Sequence, residues 1–256
     1  MTDAIAKAAA VLARARRIAA LTGAGVSTES GLPDFRSPGG LWAGVDPMEV
    51  ASLTAFQRRP QVFYDFYRRR LLALAGAKPN PAHYALVTLE RFGLQAVITQ
   101  NVDGLHQAAG SRRVIELHGN LREAACVACR AVRPIAVLTE ALDRGELPTC
   151  STCGGPLKPN VVLFEELLPA AAYAAAEQEC RLADVLLVAG SSLQVTPAAW
   201  LPEVARESGA AILIVNDEPT PLDHRAEVVL RGRAGAVLPA LAAAVSGQRG
   251  ERETSR

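Results

Sequence analysis

The sequence predicts an α/β fold, a mainly parallel sheet with helices on both faces and a smaller lobe beside it. Three observations predict this. Short apolar runs recur without polar alternation, as strands covered on both faces should. Stretches with helical period lie between them and end at glycine. Two regions, 41–78 and 124–156, break the rhythm and read as insertions.

The elements follow in order. MTDAIAKAAAVLARARR reads as an Ala-rich amphipathic helix leading into the first strand, RIAALTG (17–23). Residues 41–78 read as helices and loops. PAHYALVTLERFG predicts a helix before the second strand, LQAVITQN (94–101). The short run RVIEL precedes ELHGN (116–120). DVLLVAGSS (184–192), AAILIVN (210–216) and the weaker AEVVLRG (226–232) complete the strands, with TPAAWLPEVARESG helical between the first two. The division expected is 1–40, 79–123 and 157–246 for the sheet domain, with 41–78 and 124–156 as the two modules of the small lobe. GQRGERETSR (247–256) has almost nothing to bury and is expected to be disordered.

Composition narrows the function classes. The chain has 256 residues, half of them apolar, enough for a full core plus a small second lobe. A net charge of +1 gives no field for nucleic acid or an anionic membrane. Arg68, Arg69 and Arg70 read most simply as a solvated helix face. No run approaches the length of a membrane span, and the N-terminus lacks the apolar stretch of a secretory signal. Five cysteines, an odd number, without a secretory signal lead to the expectation of a reducing, cytoplasmic setting, and nothing in the sequence demands more than a monomer.

Four cysteines carry a strong signal. CVAC (126–129) and CSTC (150–153) are knuckles 20 residues apart. Each places two thiolates on one turn, so Cys126, Cys129, Cys150 and Cys153 are expected to hold one structural Zn2+ as a zinc-ribbon module. Four thiolates leave no open position for catalysis. Cys180 reads as a buried small hydrophobe.

The polar residues cluster at strand ends, where ligands of such sheets bind. TGAGVSTESGLPDFR (22–36) has Gly23 and Gly25 to let the main chain approach a pyrophosphate, and a helix N-terminus is expected beyond them. Thr28 stands where the third glycine of a dehydrogenase loop belongs, and no acid ends a second strand at the usual offset. In TQNVDGLH (99–106), Gln100, Asn101 and Asp103 can grip an amide-bearing ligand or serve only as turn residues. His118 is the histidine best placed for a general base; a satisfied imidazole is the plainer reading, and the one kept for His83, His106 and His224.

Taken together, GAGVSTESGLPDFR, TQNVDGLH, ELHG, the two C-x2-C knuckles, KPNVVLFEE, GSSLQVTPA and IVN resemble the sirtuin family from about residue 17 to about 240. The resemblance implies a Rossmann-like NAD-binding domain and an NAD-dependent protein-lysine deacylase acting on acyl-lysine proteins or peptides. It implies that Gly23, Ala24 and Gly25 contact the NAD phosphates, and that Phe35 and Arg36 border the nicotinamide ribose. Gln100 would approach the ribose, with Asn101 and Asp103 near the nicotinamide and Asn101 counted with His118 as catalytic. Gly190, Ser191 and Ser192 would hold phosphate and ribose. Asn216, Asp217 and Glu218 would meet the adenosine ribose, and Ala234 the adenine. Thr28, Glu29, Asp34, Trp42 and Val102 complete the implied cofactor set.

In the implied reaction the acyl-lysine oxygen displaces nicotinamide from C1′ of its ribose. His118 then activates a ribose hydroxyl against the resulting alkylimidate, and water completes the reaction, giving free lysine and 2′-O-acyl-ADP-ribose. Val161, Val162, Leu163 and Phe164 would pair with the substrate backbone as an added strand. Here the chain departs from the family's F-G-E, because Glu165 replaces the glycine. Tyr67 and Arg70 match the Y-x-x-R pair of desuccinylating sirtuins, which suits a carboxylate on the acyl chain, although Asp34 is not usual in that group. Mono-ADP-ribosyl transfer at the same NAD site, a non-enzymatic NAD-sensing zinc module and a dehydrogenase remain as other readings.

Overall fold

The computed structural model describes residues 2–35 and 37–254. Six strands form the main sheet: β1 (Ile18–Thr22), β2 (Leu94–Thr99), β3 (Val114–Glu116), and, after an inserted small sheet of β4 (Gly119–Cys126), β5 (Val132–Pro134) and β6 (Leu157–Val161), the strands β7 (Val185–Ala189), β8 (Ala211–Asn216) and β9 (Val228–Arg231). The main sheet runs β3-β2-β1-β7-β8-β9 with every pairing parallel. All five expected strands are present, and RVIEL supplies a sixth at the edge.

The helices are α1 (Thr2–Arg14), α2 (Pro47–Val50), α3 (Leu53–Arg58), α4 (Pro60–Ala75), α5 (Pro81–Leu89), α6 (Leu105–Ala109), α7 (Ala136–Asp143), α8 (Ala170–Leu182), α9 (Leu201–Glu207) and α10 (Ala234–Thr254). Side chains leave a strand on alternate faces, and both faces are buried. Ile18 and Ala20 of β1 pack with Val185 and Leu187 of β7 against α1, α5 and α10. Ala19 and Leu21 pack with Leu186 and Val188 against α8 and α9. A strand sandwiched this way has no polar face to show, which is why its sequence does not alternate.

The small lobe has its own core. Phe56 of α3 and Phe63, Tyr64 and Tyr67 of α4 pack on Leu121 of β4, Leu138 of α7 and Val161 of β6. The Tyr64 hydroxyl donates to Leu157 O at 2.6 Å, tying the helical module to the small sheet. That sheet is antiparallel, β5-β4-β6, and reaches from Gly119 to Val161. It therefore extends beyond the 124–156 expected from the cysteines, because β4 and β6 continue pairing past the knuckles to the edge of the main sheet.

The tail also differs from expectation. α10 runs to Thr254 through most of the segment expected to be disordered, while residues 255 and 256 lie outside the described residues. Gln, Arg and Glu are good helix formers and can prolong a helix that is already anchored. Among the described residues no helix is long and apolar enough to cross a membrane.

Candidate active site

A cavity of about 900 Å³ opens at the carboxyl ends of β1, β7 and β8 and runs toward the small lobe. It lies where the sheet changes winding direction between β1 and β7, the usual place for a ligand in an open parallel sheet. Gly23, Ala24, Gly25, Thr28 and Glu29 line it after β1, and Gly190, Ser191 and Ser192 after β7. The glycines are needed first for each other. Gly25 N donates to Gly190 O at 2.9 Å. A Cβ on Gly23 would stand 2.7 Å from Gly190 O, and one on Gly25 2.8 Å from Gly190 Cα. The two loops touch backbone to backbone at the cavity wall. The helix N-terminus expected beyond Gly25 is absent: 24–26 and 28–30 are single 3-10 turns, and α2 begins only at Pro47.

The loop after β2 braces the loop after β1. Asn101 Nδ2 donates to Gly23 O and to Ser27 Oγ, each at 3.1 Å. Ser27 Oγ donates to Asp103 Oδ2 at 2.7 Å. Asn101 is buried, and neither it nor Asp103 lines the cavity, contrary to the expectation of direct ligand contact. Asn101 Nδ2 and Asp103 Oδ2 serve the glycine loop, while Asp103 Oδ1 accepts from Leu105 N at 2.9 Å in its own turn. Gln100 and Val102 do line the cavity, and Gln100 Nε2 donates to Ser191 Oγ at 2.9 Å. Asn80, the N-cap of α5, holds the far side: its Nδ2 donates to Val26 O at 2.8 Å and Ser30 Oγ at 2.9 Å.

His118 lines the cavity at the junction of β3 and β4. Its Nδ1 is 3.0 Å from Gln100 O. A carbonyl only accepts, so the neutral ring carries its proton on Nδ1 and Nε2 keeps a lone pair. Burial lowers its pKa from the ordinary histidine value, with the Gln100 carbonyl pulling the other way. A neutral imidazole with Nε2 as acceptor is what a general base at neutral pH requires. His83 and His106 take structural places. His83 Nδ1 accepts from Asn80 N at 3.2 Å, and His106 Nε2 is 3.0 Å from Thr22 Oγ1.

The segment after the glycine loop forms an aromatic wall. Phe35 and Trp42 meet at 5.3 Å between ring centres, and Trp42 stacks on Phe66 at 5.8 Å. Ser37 N donates to Asp34 Oδ1 at 2.8 Å, so Asp34 shapes this turn as well as lining the cavity. Arg36 lies outside the described residues. Arg70 turns inward, unlike Arg68, which pairs with Asp143 on the surface at 2.8 Å. The Arg70 guanidinium sits over Phe35 at 5.4 Å and over Phe66 and Tyr67 at 5.9 Å. Tyr67 is buried, which pushes its pKa up to about 12. Both line the cavity, and Arg70 forms no ion pair among the described residues.

Val161, Val162, Leu163 and Phe164 line the cavity, but three of their backbone donors are already used. Val162 N donates to His118 O at 2.9 Å, Leu163 N to Glu166 Oε2 at 2.9 Å and Phe164 N to Ala51 O at 3.1 Å. An added strand therefore cannot pair along this whole segment. Lys158 Nζ, buried beneath it, donates to Val161 O at 2.6 Å and lies 3.0 Å from Glu166 Oε2.

At the far end Asn216, Asp217, Glu218 and Ala234 line the cavity, as expected. Sequence reasoning did not single out Ser37, Ala51, Glu166, Leu167, Leu168, Val195, Thr196, Pro197, Gly232 or Arg233, which line it too. The motifs LFEE and GSSLQVTPA pointed at four of them; Ser37 and Ala51 had no local signal.

The cysteines converge away from this cavity. The four Sγ atoms lie within 4.8 Å of one another, with Cys126–Cys153 at 3.5 Å and Cys129–Cys150 at 3.7 Å. Thiolates bound tetrahedrally at about 2.3 Å from zinc stand about 3.8 Å apart, so the set fits the ion. Amides of the knuckle favour the thiolate: donors at Thr152 and Cys153 lower the Cys150 pKa to about 6. Cys180 is fully buried, and burial pushes its thiol up to about 12.

Comparison with known proteins agrees with this geometry. The model of the Sir2 family matches residues 23–197. NAD-dependent protein deacylase 2 of Archaeoglobus fulgidus is 46% identical over 254 residues, 98% of this chain and all of that one. NAD-dependent protein deacetylase 1 of Geobacillus kaustophilus is 49% identical over 224 residues, 87% of this chain and 90% of that one. Among solved structures, a Sir2 homolog–NAD complex superposes with TM-score 0.88 at 42% identity, covering 94% of this chain and 93% of that one. Sir2Af2 bound to a myristoylated histone peptide gives 0.81 at 42%, covering 98% and 100%.

Proposed function

The chain belongs to the Sir2 family of NAD-dependent protein deacylases, and from that premise we propose that its cavity takes both acetyl-lysine and succinyl-lysine peptides. The fold, the four-thiolate zinc set and a cavity between the glycine loops and the small lobe all accord with the family. NAD supplies an electrophilic ribose carbon once its nicotinamide departs. The remaining work falls to the chain's own residues. Gly23, Ala24, Gly25, Gly190, Ser191 and Ser192 would hold phosphates and ribose. Asn216, Asp217 and Glu218 would meet the adenosine ribose, with Ala234 by the adenine. Asn101 and Asp103 keep the first loop in shape. His118 would take a ribose hydroxyl proton at Nε2, its tautomer fixed by Gln100 O. Phe35 and Trp42, packed ring to ring beside the cavity, would shield the reacting carbon from water.

The observation that carries the succinyl reading is Arg70. Its guanidinium faces the cavity between aromatic rings and has no carboxylate within ion-pair distance among the described residues. A carboxylate at the end of an acyl chain would satisfy it, with the Tyr67 hydroxyl as second donor. The test is kcat/KM for succinyl- and acetyl-lysine peptides with NAD, product identity being read by mass spectrometry. Arg70→Met should lower the succinyl/acetyl ratio at least tenfold. An unchanged ratio overturns the assignment, and ADP-ribosylated protein in place of O-acyl-ADP-ribose overturns deacylation.

A further inference from the structure

We infer that Glu165 is a positioning residue, a clamp that holds the peptide-pairing edge against the helical module; this rests on reading the cavity as an acyl-lysine peptide site. Residues 162–164 have their backbone donors engaged, as described above. Leu163 O accepts from Glu166 N at 3.0 Å, and Phe164 O from Leu53 N at 3.1 Å. Among the described residues, Val162 O and the N–H and C=O of Glu165 are the backbone groups of 162–165 left without a protein partner. A peptide strand adding to this edge must use them, because β-addition is main-chain pairing. The direction in which Glu165 N and O point therefore decides how the peptide docks.

That direction is set by an unusual backbone. Glu165 has φ 74, the left-handed region that disfavours any residue with a Cβ. Its side chain offsets the preference. One carboxylate oxygen accepts from Thr54 N at 2.8 Å and the other from Thr54 Oγ1 at 3.0 Å. The clamp also completes the first turn of α3. Leu53 N is taken by Phe164 O, Thr54 N by Glu165 and Ala55 N by Ser52 Oγ at 2.9 Å. Segment 164–165 and α3 thus terminate each other. Without the carboxylate, an L-residue at 165 is free to relax toward negative φ, which swings its N–H and C=O off the peptide.

The experiment compares Glu165→Ala, which keeps a Cβ in the left-handed region and loses the clamp, with Glu165→Gln, whose carbonyl oxygen still accepts from Thr54 N while its amide donates to Thr54 Oγ1, so the two-point contact stays and the charge goes. Steady-state kinetics use an acetyl-lysine peptide and NAD; amide hydrogen exchange uses the zinc-loaded protein without substrate. E165A should raise the KM for peptide about tenfold, with kcat and the Kd for NAD within twofold. E165Q should stay within threefold of the parent. Exchange at Thr54 and across 162–166 should speed up in E165A and not in E165Q. The clamp is overturned if E165A matches the parent in exchange, or if E165A and E165Q behave alike in both readouts. If the parent protein deacylates no peptide, the activity reading fails while the exchange comparison still decides the clamp.

Discussion

Gly190→Ala should separate the cofactor loops at their point of closest approach. A Cβ there would stand 2.6 Å from Gly25 C and 2.9 Å from Gly25 Cα, and would press on Val26 N. The first distance falls roughly 0.8 Å short of ordinary van der Waals contact at 3.4 Å. Both neighbours are backbone atoms of a loop braced by Asn80 and Asn101, so no flexible side chain can give way. Gly190 also has φ 59, which adds about 1–2 kcal/mol for any residue with a Cβ. Overpacking of this kind costs about 1–3 kcal/mol more. A total near 3 kcal/mol lowers Tm by about 6–12 °C in a chain of this size. A shift approaching 1 Å in groups that hold a phosphate should weaken NAD binding by about tenfold or more. Isothermal titration with NAD and differential scanning calorimetry read the two effects. Gly110→Ala is the control: φ is 101, nothing lies within 4 Å of its Cβ, and only the dihedral cost applies. Equal NAD affinity in the parent and G190A, or equal loss in G190A and G110A, would refute the reasoning.

Three further outcomes follow from the site. His118 must be neutral to act as base and burial holds its pKa below 6.5, so kcat/KM should rise with pH at an inflection below 6.5 and be flat from pH 7 to 8; an inflection above 6.5 contradicts the role. His106 is held neutral by burial and by His83, with its pKa lowered to about 3, so below pH 6.5 the unfolded chain binds the extra proton. Stability should then fall by up to about 1.4 kcal/mol per pH unit as pH drops from 6.5 toward 3, and His106→Gln should flatten that slope in denaturant titrations at successive pH values. Stripping zinc with a strong chelator should release about one ion per chain and lose the small-lobe transition in calorimetry before the main sheet melts; ion release with no thermal change would show that Cys126, Cys129, Cys150 and Cys153 do not support the lobe.

Where the sequence succeeded, one-dimensional pattern and three-dimensional environment coincide. β1, β2, β7 and β8 are buried on both faces, so Ala19, Leu21, Leu186 and Val188 had to be apolar along with their neighbours. Each knuckle is a local turn that pairs two thiols, and the pairing of β4 with β6 brings the two turns together. What escaped depends on contacts between distant segments. Asn101 and Asp103 are polar residues at a strand end, which is also how a ligand contact looks. Only the positions of Gly23 and Ser27 show that these groups face the loop. Arg70 sits in a run of three arginines, and its inward turn follows from how α4 lies against Phe35. Glu165 stood out by departing from a motif, but its partner Thr54 is 111 residues away.

His118 lies between β3, the edge of the large sheet, and β4, the first strand of the small one. The next residue, Gly119, pairs with Val161 and has φ 74, a sharp bend that hands the chain from one sheet to the other. His118 thus belongs to the crease between two sheets and to neither lobe alone. Its carbonyl accepts from Val162 N, just beyond β6, and its ring is held by Gln100 O in the loop after β2. One residue is in this way anchored at both ends, its main chain by the small sheet and its ring by the loop after β2, so neither lobe can shift against the other without straining it.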